Sequence, residues 1–515
     1  MASRKRQFSF LIQRFKGFWN QYKQSKRGML GIGIIFAFAI MAIFAPIIAP
    51  LDPLKPKMTG YYPSDRPKIA DKLCVPIWYK SLLGMQHLSE NMIVVEDHEF
   101  ISEELFNTQW KIQNDSQYVS YQYSSSGGSH NDDGCVEISY ERQESETAPA
   151  AGKININFEY EFEFPYQDEP RSFWWHYSLR LENKTSMGKF PVRTTITFRR
   201  GNEPTSYFVA GHNFGSVNIG SKWYSTSDQT IEYGTIEKTI FTGTGKYTFE
   251  FIVTIFDEEA GAIDLDLYID NLQIILYGKT YGLLGTSSIP RDTPRDLFTM
   301  LVHGTRISFM IGILTAVFSV LIGLVVGLIA GYVRGLVDEG LMRFADFLLV
   351  IPGLPLLIVL VTVLGRSIWN IIGVLIFMGW MGFSRTVRSM TLSLRERPFI
   401  ESAKASGAST GYIIYRHILP NIFALVYISL ATSVPGAIIA EASLAWLGLG
   451  DINICSWGIM LYDFSRTQTA IVKGVGDYWF WVIPPGVAIA LMAMAFILMG
   501  FSLDEILNPK LRKRR

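Results

Sequence analysis

From residue 301 to residue 503 the chain is an almost unbroken succession of uncharged apolar stretches, and a further one, Met29 to Ala49, stands near its beginning. Each is long enough to cross the hydrocarbon core of a bilayer, which takes about 20 residues. Lipid leaves a chain few options, because every backbone N–H and C=O must be satisfied within the protein. The expected framework is therefore a polytopic bundle of transmembrane helices. Residues 51–300 have the composition of a water-soluble protein and interrupt that framework.

The formal net charge of +1 conceals a sharp partition. Residues 1–28 carry eight Lys and Arg and no Asp or Glu, Ser384 to His417 carry six against two, and the tail from Asp504 carries five against two. Residues 51–300 hold 35 acidic against 22 basic residues. Basic loops are retained in the cytoplasm, so both termini and the 384–417 segment are expected inside and the acidic block outside. The basic ends abut apolar spans and lack a groove-reading motif, which argues for anionic membrane lipid and against nucleic acid as their partner. Met29–Ala49 is longer than a signal-peptide core, follows a basic lead and lacks a small-residue cleavage site, so it is expected to be retained.

Six spans of alternating direction can be drawn: Met29–Ala49, Arg306–Val333, Leu341–Leu364, Ile368–Arg388, Pro420–Leu447 and Tyr478–Leu503. Gly323, Gly327 and Gly331 on the second, and Ser433, Gly436, Ala437 and Ala440 on the fifth, allow helices to approach closely. Pro352, Pro355, Pro435, Pro484 and Pro485 predict kinks or breaks, tolerated where protein or a water-filled cavity takes up the released backbone groups. Pro352 and Pro435 are thus candidates for a pathway, with plain bundle packing as the alternative. Ionisable residues inside spans are functional candidates by default. Asp346 is expected to pair with Arg343 one turn earlier, and Glu441 to act as a gate or a packing lock.

Between the first two spans the pattern changes. Ile154, Ile156, Phe158, Tyr160, Phe162 and Phe164 alternate with Lys153, Asn155, Asn157, Glu159, Glu161 and Glu163, and the same period of two recurs over 263–270. Such alternation marks strands with one dry and one wet face. Further strands are expected at Tyr177–Leu181, Arg193–Arg199 and Tyr247–Ile255, giving an all-β sandwich or jelly roll over 86–280. Trp174, Trp175, Tyr177, Trp223 and Tyr224 are candidates for stacking on a ring-shaped ligand, with core packing as the plainer role.

The segment 395–420 links the fourth and fifth spans. Pro398 suits the first turn of a short helix and Gly407 its end, while Ser402, Ala403, Ala405 and Ser406 are small enough to admit a partner surface. Glu401-Ser402-Ala403-Lys404-Ala405-Ser406-Gly407, closed by Leu419-Pro420, resembles the EAA loop of ABC-importer permeases; Ser402 replaces the middle Ala. The fuller string Gly407-Ala408-Ser409 with Arg416-His417-Ile418-Leu419-Pro420-Asn421 is similar to the C-type subunit of dipeptide and oligopeptide permeases. Glu441 through Gly450, then Ser456-Trp457-Gly458, resemble that family's external loop, and Leu284-Gly285-Thr286 with Arg295-Asp296 its lead-in to the second span. The resemblance covers residues 1–85 loosely and 283–515 closely; the β segment is outside it.

The resemblance implies a type I importer fold in a prokaryotic plasma or inner membrane. It divides the chain into a cytoplasmic segment 1–28, a first span 29–50, an external linker 51–85, the inserted β domain 86–280 on the extracellular or periplasmic side, a lead-in 281–305, the permease core 306–503 and a cytoplasmic tail 504–515. It implies ATPase coupling through Glu401, Ser402, Ala403, Gly407, Ala408, Arg416, Leu419 and Pro420, and a binding-protein face at Trp446, Gly448, Gly450 and Trp457. The partners implied are a homologous second permease, two cytoplasmic ATP-binding subunits that hold ATP and Mg, and an external substrate-binding protein. Di- or oligopeptides are the implied cargo, with oligosaccharides as the alternative. An exporter lacks this loop, and a membrane-anchored adhesin or lectin needs neither six spans nor a hinge.

No catalytic, cofactor or metal site is expected in the chain itself. Gly278-Lys279-Thr280 ends like a phosphate-binding loop, but Gln273 occupies the position of its first Gly. The seven His are scattered, and no Cys or His pair has metal-ligand spacing. Cys74, Cys135 and Cys455 are all expected outside, where at most two can pair.

Overall fold

The computed structural model describes residues 19–55, 58, 67–82, 84–129, 134–149, 151–184, 191–201, 203–214, 222–229, 235–257, 261–287, 294–467 and 472–507. Residues 1–18 of the basic lead and 508–515 of the basic tail lie outside them. The chain divides into two compact units, Met1–Pro56 with Ser287–Arg515, and Lys57–Thr286.

The first unit is helical: α1 (Lys26–Ile43), α2 (Leu297–Val333), α3 (Leu336–Val350), α4 (Gly353–Leu364), α5 (Ile368–Gly379), α6 (Met381–Arg395), α7 (Pro398–Ala405), α8 (Leu419–Trp446), α9 (Trp457–Arg466) and α10 (Trp479–Leu507). Among the described residues five helical runs are long and apolar enough to cross a membrane, and a sixth span arises if the bent pair α3 and α4 is counted as one. The protein is thus a multi-pass membrane protein. The second span begins nine residues earlier than its apolar run suggests, because the Asp296 carboxylate accepts the Thr299 N–H at 2.9 Å and caps α2 at Leu297.

Of the five span prolines, Pro352 alone marks a break. Ile351 before it is extended, as the residue preceding proline prefers, and α3 and α4 diverge by 94°. Pro435 lies inside α8, and Pro484 and Pro485 lie inside α10, without ending either helix. Asp346 pairs with Arg385 of α6 and not, as its spacing suggested, with Arg343, which pairs instead with Glu339. Arg388 of the same helix takes Asp338 at 2.5 Å, so two ion pairs tie α3 to α6.

The helix α2 packs on α1, α5, α6, α8 and α9. Its glycines set the distance of approach. A Cβ at Gly323 would fall 2.7 Å from the Trp380 carbonyl oxygen, one at Gly327 2.5 Å from that of Ser384, and one at Gly331 2.8 Å from that of Arg388.

The second unit is a sandwich of two antiparallel sheets. Its strands are β1 (Met92–Ile93), β2 (Trp110–Asn114), β3 (Val119–Ser124), β4 (Cys135–Arg142), β5 (Lys153–Phe164), β6 (Ser172–Asn183), β7 (Val192–Arg200), β8 (Ser206–Phe214), β9 (Tyr224–Gln229), β10 (Gly245–Phe256) and β11 (Ile263–Tyr277). One sheet runs β3-β4-β11-β6-β9 with β1 beside β11, the other β2-β5-β10-β7-β8. The alternating residues Ile154 to Phe164 turn inward, and the two sheets meet through rings such as Tyr177 on Phe251 (4.9 Å) and Phe173 on Phe198 (5.6 Å). Trp174 and Tyr177 are buried, so these two ligand candidates are packing residues; Tyr224 is exposed.

Residues 67–82, expected to belong to a linker, are part of this sandwich unit. The Val75 N–H donates to Lys279 O and the Tyr281 N–H to Val75 O, both at 2.9 Å, and the Cys74 N–H donates to Thr286 Oγ1. Within the sandwich Arg142 grips Asp257 through two bonds of 2.9 and 3.1 Å, and Tyr140 donates to the same carboxylate. Burial, followed by that carboxylate, raises the Tyr140 phenol. Cys74, Cys135 and Cys455 are buried, unpaired thiols; burial pushes Cys74 and Cys455 up to about 12 and Cys135 to about 11. No disulfide forms among them.

The α2 packing gives a direct test. Gly327→Ala is expected to destabilise the detergent-solubilised chain by about 1–3 kcal/mol through overpacking against α6. Gly340→Ala, where an added Cβ meets nothing within 4 Å, should leave the melting midpoint unchanged or slightly raised. Equal midpoints for the two variants would contradict the packing described.

Candidate functional site

Three features of the helical unit carry the candidate residues. The first is the short helix α7. Pro398 opens it, and Ile400, fully buried, seats it among Val387, Leu394, Ile413, Ile418 and Ile422. Its end is a Schellman turn: the Gly407 N–H donates to Lys404 O at 2.9 Å and the Ala408 N–H to Ala403 O at 3.1 Å. Gly407 has φ +79°, but open space surrounds its α-carbon, so the glycine is required by backbone conformation and not by crowding. Ala403 and Ala408 pack inward, while Glu401, Ser402, Lys404, Arg416 and Pro420 are exposed and Leu419 is half-buried.

Beyond α7 the chain is recapped by Ser409, passes through a π-helical turn at Ile414–Ile418 and enters α8 with Pro420 in its first turn. The exposed side of this segment is aromatic as well as charged: Phe399, Tyr412 and Tyr415 are exposed, and His417 lies between the Phe399 and Tyr412 rings. Tyr332, near the end of α2, joins the helix to the bundle. Lys404 Nζ lies 5.7 Å from its ring centroid, and Arg395 donates to its carbonyl at 2.8 Å. Sequence reasoning missed Tyr332 and Arg395, since nothing local links a span end to a loop some seventy residues on.

The second feature lies where α8 ends and α9 begins. Gly448, φ +82°, closes α8 with the same pair of bonds as Gly407, from Gly448 N–H to Ala445 O and from Leu449 N–H to Leu444 O. Ser456 caps α9 by accepting the Ile459 N–H and donates its hydroxyl to Glu441 Oε1 at 2.7 Å. Glu441 is therefore a buried tie between α8 and α9, and Pro435 is buried one turn and a half before it. Trp457, expected to face a binding protein, is fully buried; its indole N–H donates to Leu301 O and its backbone N–H to Ser308 Oγ. It wedges α9 against α2 and presents no side chain to a partner. Trp446 is exposed, and a Cβ at Gly450 would fall 2.6 Å from the Ile459 side chain and 2.9 Å from Ala445 Cβ, so these neighbours would have to shift for any side chain there. A buried ion pair, Arg295 Nη1 to Asp463 Oδ2 at 3.2 Å, fixes the lead-in of α2 to α9.

The third feature is a cavity of about 430 Å³ beside the α3–α4 break, lined by residues of α2, α3, α4, α5, α6 and α8. Ile351 and Gly353 flank Pro352 on one wall, and Ser433, Gly436, Ala437 and Ala440 flank Pro435 on another. No charged residue and no aromatic ring lines it among the described residues. Asp346 lies outside this lining, at its ion pair with Arg385.

A multi-pass helical bundle with a broken span, an uncharged cavity among its helices and a small, glycine-ended surface helix fits the class of membrane permease subunits. Residues 323–513 match the binding-protein-dependent transport system inner membrane component family, and residues 13–64 match the N-terminal TM domain of oligopeptide transport permease C. The dipeptide transport system permease protein DppC of Bacillus subtilis is 36% identical over 220 residues, which are 42% of this chain and 67% of that protein. The oligopeptide transport system permease protein OppC of the same organism is 35% identical over 43% of this chain and 71% of its own length. The glutathione transport system permease protein GsiD of Pectobacterium atrosepticum is 36% identical over 42% and 70%. The chain belongs to the binding-protein-dependent transport system inner membrane component family, with an antiparallel β domain inserted between its first two spans.

At Gly407 the expected outcome follows from φ alone. Gly407→Val should strain the turn by about 1–2 kcal/mol, whereas Gly407→Asn, which tolerates the left-handed region, should do so less. Uptake by cells carrying each variant should rank glycine, then asparagine, then valine, at equal membrane levels of the protein. Full uptake with valine would show that the turn is not needed.

Proposed function

We propose that this chain is the C-type permease subunit of an ATP-driven peptide importer. The observation that carries the reading is the conjunction of peptide-permease relatives with a cavity that lacks charge and aromatic rings. An oligosaccharide pathway would call for ring-stacking side chains, which favours peptide over sugar.

In this reading the chain has no catalytic residue of its own. Two cytoplasmic subunits bind and hydrolyse ATP, and a second, homologous permease completes the pathway. The exposed Glu401, Ser402 and Arg416, ringed by Phe399, Tyr412 and Tyr415, form the socket for one ATP-binding subunit. Movement of that subunit reaches α2 through Lys404, Arg395 and Tyr332. Both basic termini and α7 face the cytoplasm, the β domain lies outside, and an external binding protein delivers cargo near Trp446. Binding energy thereby converts into rotation of packed helices about the pathway.

Two measurements test this. The chain co-expressed with its ATP-binding and second permease subunits should co-purify with them, and proteoliposomes of the complex should take up a tripeptide only with ATP. Protease added to intact cells should cut at the Ser124–Ser129 turn. ATP-independent uptake, or cleavage only after lysis, would overturn the mechanism or the orientation respectively.

A further inference from the structure

The cavity beside the α3–α4 break differs from the rest of the bundle in what its hydroxyl groups do. A Ser or Thr in a membrane helix commonly returns its O–H to the carbonyl one turn back. Thr305, Thr362, Thr391, Thr432, Ser443 and Ser502 all do so, at 2.7–3.1 Å. Thr315 does not. Its Oγ1 is buried and has no partner among the described residues, and the residue lines the cavity. Ser319, one turn along on the same face of α2, reaches away from its own helix toward Ile376 O at 3.4 Å. Gly379 makes room for it, since a Cβ there would fall 2.5 Å from Ser319 Oγ. Ser433 contributes a third hydroxyl-bearing side chain from α8, and Gly436 beside it faces open space.

We propose that Thr315, with Ser319 and Ser433, is a station for the main chain of an extended peptide in transit. The proposal rests on the peptide reading above. A hydroxyl both donates and accepts, so it can meet either an amide N–H or a carbonyl. Residues at i and i+4 on a helix lie about 5–6 Å apart, close to the roughly 6.6 Å over which an extended chain repeats the same face. Thr315 can therefore donate to a carbonyl while Ser319, whose O–H is turned to Ile376 O, accepts an amide N–H on the same edge of a peptide. With no charge or ring in the lining, the station reads what all peptides share and leaves their side chains undistinguished. An orphaned buried hydroxyl is the cost of keeping a bond available for cargo.

The test uses the complete transporter in proteoliposomes. Thr315→Val preserves shape and removes the O–H, and Thr315→Ser restores it. Maximal tripeptide uptake by T315V should fall about three- to ten-fold, the worth of one hydrogen bond, and equally for Ala-, Lys- and Glu-centred tripeptides. T315S should stay near wild type, and assembly with the ATP-binding subunits should be unchanged for both. A tripeptide N-methylated at its central amide should be carried poorly by wild type, and the valine variant should add little to that defect. Uptake by T315V within about two-fold of wild type for every tripeptide, or a loss confined to one side-chain charge, would overturn the station while leaving the importer reading intact. A wild-type complex that carries no tripeptide at all would overturn both.

Discussion

The close approach of α2 to α6, glycine α-carbon to carbonyl oxygen, is the constraint on which the helical unit rests. Lipid tails are as apolar as leucine, so helices gain little by hiding apolar surface from one another and are held by contact and hydrogen bonding. Gly323, Gly327 and Gly331 remove side chains along one face of α2 and let the backbone of α6 fill the space. Once α2 is fixed, the other features follow from its length. Its beginning is capped by Asp296 and wedged by Trp457, its middle carries Thr315 and Ser319, and its end offers Tyr332 to Lys404 and Arg395. One rigid element thus touches all three candidate features.

The two glycine-ended turns serve different ends with the same geometry. At Gly407 the turn closes a helix whose outward side is exposed and whose inward side is the buried Ile400 with the half-buried Ala403. At Gly448 the turn redirects the chain into a loop whose next helix is pinned by Ser456 to Glu441. The first leaves a surface open to a partner; the second consumes its polar groups internally. That contrast fits the burial of Trp457, which the family resemblance led one to expect on a docking face.

The β domain is built on a separate principle. It has an aromatic interior between two sheets and a buried, bidentate Arg142–Asp257 pair joined by Tyr140. Neither depends on lipid, so such a domain is compatible with insertion between two spans of a bundle packed by other rules. The first and last parts of this unit bond to each other at Val75 and Tyr281.

Much of this was written in local sequence. Apolar runs marked where the spans lie, with an end off by nine residues at the start of α2, period-two alternation marked β5 and β11, and Pro398 and Gly407 marked the ends of α7, because each of these depends on a residue and its near neighbours. The EAA-like string also sufficed to indicate the class of protein. The tertiary structure decided which proline breaks a span, that Asp346 takes Arg385 rather than Arg343, that Trp457, Trp174 and Tyr177 are interior, and that among the buried hydroxyls of the described residues Thr315 is left without a bond. These outcomes depend on which distant backbone comes to lie alongside. In a bundle packed through small residues, that is set by the fit of whole helices and not by any one stretch of the chain.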